Sequence, residues 1–265
     1  MNASVGRAEI TVRIAAGVAS IEIDNRSQRN AVTRDMCLQL QTLLPRLDAD
    51  PEVSVITLRG AGDTFSAGAA IGELPSILLD EADDGSRVDQ LSLADAAIVS
   101  VAKPTIAFVD GACMGGGWQL ASACDFILAS EGSVFAITPA KLGVLYPRAG
   151  IERLVRQVGS ANSKYILFSG ETFSAERARE LGLVTETVAD DRFDDRCKAL
   201  VTTLLHRSRF SLHTLKHLVD LTDQAGPAVD REWDDAWTAM TTSGDFEVGV
   251  AAFLAREHPR FVWQP

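Results

Sequence analysis

Three consecutive glycines, Gly115 to Gly117, lie within ACMGGGWQLASACD (112–125), and a second small-residue turn, FSAGAAIGEL, covers residues 65–74. Each leaves an apolar, strand-like run and enters a helix-like one. Backbone N–H groups at a helix start have no intrahelical acceptor, and the helix dipole reinforces their positive end. Glycine and alanine put no bulky side chain between that backbone and an approaching ligand. Two such turns on neighbouring strands can aim two N–H groups at one carbonyl oxygen, which is the chemistry of an oxyanion hole. Taken singly, either turn is also what a tight strand-to-helix crossover requires. Neither has the spacing of a dinucleotide or nucleoside-triphosphate loop. The first polar side chain after the glycines is Gln119, an amide where proton chemistry would want a carboxylate.

Regular elements must position these turns. AEITVRI (8–14) and VASIEID (18–24) alternate apolar and polar residues around Ala15, Ala16 and Gly17, and predict a hairpin. A helix is expected from Thr33 to about Leu47, with Met36, Leu40, Leu43, Leu44 and Leu47 on one face, Thr33 as cap and Pro51 as terminator. VSVITLRG (53–60) and PTIAFVDG (104–111) read as strands before the two glycine turns, with a helix around 88–101 between them. DFILAS (125–130) and SVFAI (133–137) are further strands. Alternation through about residue 190 predicts an α/β fold with parallel pairing. The pattern then turns helical, with helices near 211–223, 228–242 and 245–257. The polar run DEADDGSRVDQ (80–90) reads as a surface loop, with a lid as the alternative.

At 265 residues the chain can bury a substantial core, and 46% hydrophobic against 23% charged residues is a globular balance. A net charge of -11 opposes non-specific binding to nucleic acid or anionic membrane, while leaving room for local cations to hold a phosphorylated small molecule. Cys37, Cys113, Cys124 and Cys197 form no CxxC pair and read as buried, reduced thiols. No signal-peptide core or membrane-length apolar run is evident, so a cytoplasmic protein is expected.

FSAGAAIGEL, KPTIAFVDGACMGGGWQLASACD and ITPAKLGVLYPRAGIERL, with RSQRNAV (26–32) and FSAERARELGLV (173–184), resemble the crotonase superfamily of enoyl-CoA hydratases and isomerases. The resemblance runs from about residue 8 to FLAREHPRF near the C-terminus. It implies a crotonase-like spiral of ββα units over residues 1–195 and a C-terminal helical region over 196–265 that completes the CoA site and forms a homotrimer or a dimer of trimers. It implies an acyl-CoA thioester as substrate, with no cofactor and no metal. The oxyanion donors would be the N–H groups of Ala69 and Gly116. Gln28, Arg29, Ser66 and Ile71 fall where the family lines the CoA nucleotide and pantetheine. Arg256 falls near a cation that meets CoA phosphates, from the same or a neighbouring subunit.

The hydratase pattern places one Glu two residues after the third glycine and a second directly after a later proline. Here those positions hold Gln119 and Ala140. An amide cannot relay a proton at neutral pH, and a methyl group does nothing, so the usual acid/base pair is missing. Asp110 and Asp125 read as loop-holding residues and Glu73 as a first-turn helix carboxylate. Decarboxylation of a malonyl-type thioester fits what is left, because breaking the C–C bond generates the enolate without a base, and apolar surroundings favour loss of neutral CO₂. ITPAKLGVLYPRAGIERL is also similar to the methylmalonyl-CoA decarboxylase branch, whose tyrosine falls on Tyr146, a candidate to orient the departing carboxylate or protonate the enolate. That branch carries a histidine where this chain has Ala69, and a Glu where it has Gln119. Gln119 can still donate to a substrate carboxylate or a water. Arg148 could recognise that carboxylate, but a tight ion pair would stabilise the reactant and slow CO₂ loss.

Two other readings stay open: a hydratase, isomerase or hydrolase with unconventional residues, and a non-catalytic acyl-CoA binder. His213 and His217 have metal-ligand spacing on a helix without a third ligand, and read as surface or interface residues. Trp118, Trp233, Trp237 and Trp263 read as packing residues, with Trp118 also placed to wall an acyl pocket.

Overall fold

The computed structural model describes residues 8–82, 84–222 and 226–264. Strands β1 (Glu9–Ala15) and β2 (Val18–Asp24) form the expected antiparallel hairpin, turned by Ala16 and Gly17, both with positive φ. Helix α1 (Arg34–Asp48) begins where Thr33 Oγ1 accepts the Met36 N–H at 3.2 Å, and buries Met36, Leu40, Leu44 and Leu47. It ends at Asp48, before Pro51 is reached.

β3 (Val55–Gly60) leads through the first glycine turn to α2 (Leu74–Leu78), and β4 (Asp80–Glu81) and β5 (Arg87–Val88) follow. The polar run 80–90 is therefore a short hairpin among its described residues, residue 83 lying outside them. Asp80 fastens it to Arg34 at 2.7 Å and to Gln90 Nε2 at 2.6 Å. Next come α3 (Gln90–Val99), β6 (Thr105–Val109), β7 (Ala112–Met114), α4 (Gly116–Ser122), β8 (Phe126–Ser130) and β9 (Val134–Ala136). The chain continues through α5 (Pro139–Leu142), α6 (Arg148–Ser169, interrupted at Gly159), β10 (Phe173–Ser174), α7 (Ala175–Glu180) and β11 (Glu186–Val188). Four helices close it: α8 (Phe193–Leu205), α9 (Arg209–Asp220), α10 (Pro227–Thr242) and α11 (Asp245–Ala255).

A six-stranded sheet runs β1-β2-β3-β6-β8-β11, parallel from β2 onward, and a three-stranded sheet runs β10-β9-β7. The chain alternates between them: β6 then β7 then α4, and β8 then β9 then α5. Single parallel bridges, Ser66 with Cys113 and Val32 with Ala69, carry the second layer on past β7. This repeated traverse is the spiral of ββα units, and it sets the two glycine turns side by side because β3 and β6 are hydrogen-bonded neighbours.

The larger core fills the space between the sheets, α1 and α3, while Val55, Ile106, Phe108 and Leu128 meet Phe193 and Cys197 of α8 on the other face. A domain boundary between 195 and 196 therefore cuts a helix that packs with the core. Trp118 is fully buried, but Trp233 and Trp237, which line a groove with Leu215 and Leu218 of α9, stay 40% and 62% exposed. Phe253 and Leu254 share that exposure, leaving α10 and α11 with an apolar outer surface. Trp263 packs on Phe210 and on His213, and His217 faces Glu232. All four thiols are free and buried, and burial pushes Cys37 and Cys197 up to about 12. Among the described residues no helix is long and apolar enough to cross a membrane.

Candidate active site

The two glycine turns meet across a narrow gap. A Cβ built on Gly116 would lie 3.0 Å from the Ala69 nitrogen. Gly116 opens α4, so its N–H has no intrahelical acceptor. Among the described residues, neither that N–H nor the one of Ala69 is given to a protein acceptor. Both residues line the same cavity, so two free donors face one small volume.

The three glycines answer two different demands. At Gly115 a side chain would have room, its nearest neighbour lying 3.9 Å away, but the backbone sits at φ 43°, ψ -106°, which an L side chain rarely adopts. At Gly117 space is the constraint, since a Cβ would lie 2.6 Å from Ser66 Cβ in the facing turn. The first turn is tied by backbone: Val32 N–H donates to the Gly68 carbonyl at 2.7 Å, Ala67 N–H to Arg29 at 2.8 Å, and Ala70 N–H to Val32 at 2.8 Å.

The rest of the wall is apolar. Ile71, Leu74, Leu78 and Leu91 form one side, and Pro139, Leu142, Val144, Leu145 and Pro147 the other, around a cavity of about 70 Å³. Among the described residues, Thr138 and Tyr146 supply its only polar side chains. No aspartate, glutamate, histidine, lysine or arginine among the described residues reaches it. Burial pushes the Tyr146 phenol well above its ordinary range, so it stays protonated, and its Oη donates to the Gly115 carbonyl at 2.8 Å. The proton proposed for a substrate carboxylate or enolate is thus already engaged.

Several sequence expectations need correction. Gln119 is fully buried and does not line the cavity. Its Nε2 donates to Asp95 Oδ1 at 2.6 Å, and its Oε1 has no partner among the described residues. Asp95, on α3, also takes both Arg153 nitrogens, at 2.8 and 2.9 Å, and Arg153 reaches Ser122 Oγ at 3.1 Å. A buried carboxylate therefore stands behind the amide, bound to a cation from α6. α6 comes this close because position 150 is glycine: a Cβ there would run into Gln119 Oε1 and the Tyr146 ring.

Ser66 is fully buried and engaged in the turn, donating to the Asn30 carbonyl at 2.7 Å and accepting Gly68 N–H at 3.1 Å, which leaves it no ligand contact. Arg148 points away from the cavity, 90% exposed and paired with Glu152. Ala140 is exposed and off the cavity wall. Arg256 caps α11 in a left-handed conformation and does not reach the cavity within its own chain. Ile71, 61% exposed, stands at the cavity rim, while Gln28 and Arg29 are exposed on the loop that braces the first turn. Trp118 packs against Tyr146, ring centroids 6.3 Å apart, without reaching the cavity.

The nearby acids have structural roles. Glu73 accepts the Arg34 N–H at 3.0 Å at the start of α1 rather than in its own helix. Asp125 accepts Thr105 N–H and pairs with Lys216, and Asp110 holds Arg59 and Ser130.

A family model described as Enoyl-CoA hydratase/isomerase matches residues 13–264. A crystal structure of an enoyl-CoA hydratase/isomerase family member superposes with a TM-score of 0.96 at 59% identity, covering 99% of this chain and all of that one. A probable enoyl-CoA hydratase of Mycobacterium leprae is 31% identical over 92% of this chain and 94% of its own. A peroxisomal Δ(3,5)-Δ(2,4)-dienoyl-CoA isomerase of Arabidopsis thaliana is 28% identical, covering 93% of both. Hydratase and isomerase relatives lie at nearly equal distance, so likeness alone does not choose a reaction.

Proposed function

Because the chain belongs to the enoyl-CoA hydratase/isomerase family, we propose that it binds an acyl-CoA thioester with its carbonyl oxygen between the Ala69 and Gly116 N–H groups and decarboxylates a methylmalonyl- or malonyl-type acyl group. One observation carries this reading: among the described residues, the cavity between two free oxyanion donors has no titratable side chain on its wall except a tyrosine already hydrogen-bonded to backbone. Hydration and isomerisation both need a proton moved by a positioned acid or base. Decarboxylation does not.

In the proposed step the bond from the α-carbon to the carboxylate breaks and CO₂ leaves. The released electron pair passes into the thioester as an enolate, whose oxygen the two N–H groups stabilise by about 2.7–4 kcal/mol each. Water then protonates the α-carbon. The leucines, valine and prolines of the wall solvate the reactant carboxylate poorly and suit neutral CO₂. Arg148, turned to solvent, leaves that carboxylate without a stabilising partner.

Gln28, Arg29 and Ile71, on or beside the first turn, would meet the CoA moiety. The apolar outer surface of α10 and α11 supports a homotrimer or a dimer of trimers, in which Arg256 would approach the CoA phosphates of a neighbouring subunit. Four buried free thiols and the absence of a membrane-length helix among the described residues support a cytoplasmic location.

Mass spectrometry of methylmalonyl-CoA, malonyl-CoA and crotonyl-CoA incubated with the purified protein tests the proposal. Loss of CO₂ from a malonyl-type thioester, with a rate nearly flat between about pH 6 and 8 for want of a titrating wall residue, is expected. Addition of water to crotonyl-CoA would overturn it, and binding without any mass change would favour a non-catalytic acyl-CoA binder. Gln119→Glu should not confer hydration, because its side chain faces Asp95 and not the cavity.

A further inference from the structure

The Gly116 N–H belongs to the peptide group whose carbonyl is that of Gly115. That carbonyl accepts two hydrogen bonds, from Gln119 N–H at 3.0 Å in the first turn of α4 and from Tyr146 Oη at 2.8 Å. We infer that Tyr146 is a positioning residue for the oxyanion hole: it acts through the Gly115–Gly116 peptide, fixing the plane of that peptide and strengthening its N–H as a donor to the thioester oxygen. The inference rests on the oxyanion reading above and adds to it a residue that tunes one donor.

Two physical effects combine. A donor on an amide oxygen draws electron density through the C–N bond, making the N–H on the far side more positive. Chained hydrogen bonds in a protein strengthen one another by about 10–30% per bond. The second effect is orientation. Gly115 sits at φ 43°, ψ -106°, a conformation open to few residues but loosely held by glycine itself, and its ψ sets the direction in which the Gly116 N–H points. The tyrosine anchors the oxygen end of that plane. Its ring is fixed in turn by Trp118 and by the close pass of Gly150.

The facing donor has an equivalent. The Gly68 carbonyl, on the same peptide as the Ala69 N–H, accepts Val32 N–H at 2.7 Å. Both oxyanion peptides are thus loaded at their carbonyl end, one by the main chain alone and one by the main chain and a side chain together. Burial keeps the Tyr146 phenol protonated, so its donation does not switch with physiological pH.

Isotope-edited difference infrared spectroscopy on the whole protein with acetyl-CoA, carrying ¹³C at the thioester carbonyl, tests this without any turnover. The CoA thioether S-ethyl-CoA, which lacks the carbonyl, serves as the control for binding. Bound to the native protein, the carbonyl stretch should move to lower frequency. In Tyr146→Phe that displacement should shrink by about 10–30% or more, with S-ethyl-CoA affinity unchanged. Replacing tyrosine by 3,5-difluorotyrosine in a Tyr165→Phe background, where position 146 is the only tyrosine site left, makes the phenol a stronger donor and should enlarge the displacement. This second variant keeps the question open to test should the phenylalanine protein fail to fold. The same displacement in all three proteins would overturn the inference while leaving the oxyanion hole intact. No displacement in the native protein, or no binding of acetyl-CoA, would overturn the oxyanion reading itself and the inference with it.

Discussion

The two glycine turns present the same functional group, a free N–H at a helix start, but are secured by different means. The first, at Gly68 and Ala69, is held by main-chain bonds from Val32, Ala67 and Ala70, with the Ser66 hydroxyl closing the loop. The second, at Gly115 and Gly116, has main-chain ties too, from Gly115 N–H to the Ala136 carbonyl and from Gln119 N–H to the Gly115 carbonyl, but adds side chains to them: Tyr146 on the Gly115 carbonyl, and Gln119 against the Asp95–Arg153 pair. A main-chain scaffold tolerates almost any residue that keeps the backbone path. A side-chain scaffold can be altered one residue at a time. The second donor is accordingly the adjustable half of the site, and substitutions should show that asymmetry.

The largest effect is expected from Asp95→Ala. It strands the buried Arg153 guanidinium and removes the acceptor of Gln119 together, and an uncompensated buried charge costs about 3–5 kcal/mol. The denaturant midpoint of unfolding reads this directly. A loss under about 1 kcal/mol would mean that α4 is not anchored through Asp95, and the comparison between the turns would collapse.

Gly117→Ala attacks both turns at once, because its methyl would press on Ser66 Cβ across the gap. Displacing one oxyanion donor costs roughly 10²–10³ in turnover, so at least that loss is expected, with little change in the circular-dichroism spectrum. Unchanged turnover would show that the two turns need not sit at this separation.

These two cases also mark what could be read from the chain before folding. Gly115 to Gly117 and FSAGAA announce themselves by composition, and the strands before them by apolar runs, so the paired turns were legible. Strand β7 was not: Ala112 to Met114 is too short to display alternation and merges with the glycine turn. Asp95 was missed for a different reason. It lies in a predicted helix 24 positions before Gln119 and 58 before Arg153, and only the spiral brings the three together. No local pattern distinguishes such an aspartate from a solvated one. Gly150 is similar, its meaning supplied wholly by the side chains it lets pass. Trp233 and Trp237 read as packing residues from their apolar character, which carries no information on how much of each indole stays exposed.

Ser66→Ala probes the first turn where it does rely on a side chain. It leaves Gly68 N–H and the Asn30 carbonyl without their partner in a fully buried place, worth about 1–3 kcal/mol of stability. Because Val32, Ala67 and Ala70 still hold the backbone, turnover at a temperature well below unfolding should change less than the stability does. A collapse in turnover with unaltered stability would instead give Ser66 a direct part in binding the thioester.

Tyr146→Phe carries the smallest expected effect and separates the two turns most finely. If the phenol contributes 10–30% of the strength of one oxyanion donor, turnover should fall by only about two- to eight-fold, with substrate affinity nearly unchanged. The matched perturbation of the first turn is an amide-to-ester replacement at position 32, which deletes the N–H that bonds the Gly68 carbonyl and leaves the valine side chain in place. Because the ladder beside Val32 survives, that ester should weaken the Ala69 donor without reorienting it. The loss at Tyr146 should exceed the loss at position 32, since removing the phenol both weakens the Gly116 donor and leaves Gln119 N–H alone to orient the Gly115 carbonyl. Equal losses would mean that orientation contributes nothing and that polarisation alone accounts for both. A loss of 10²-fold or more at Tyr146 would mean that its proton reaches the substrate after all, and the tyrosine would return to the role of proton donor.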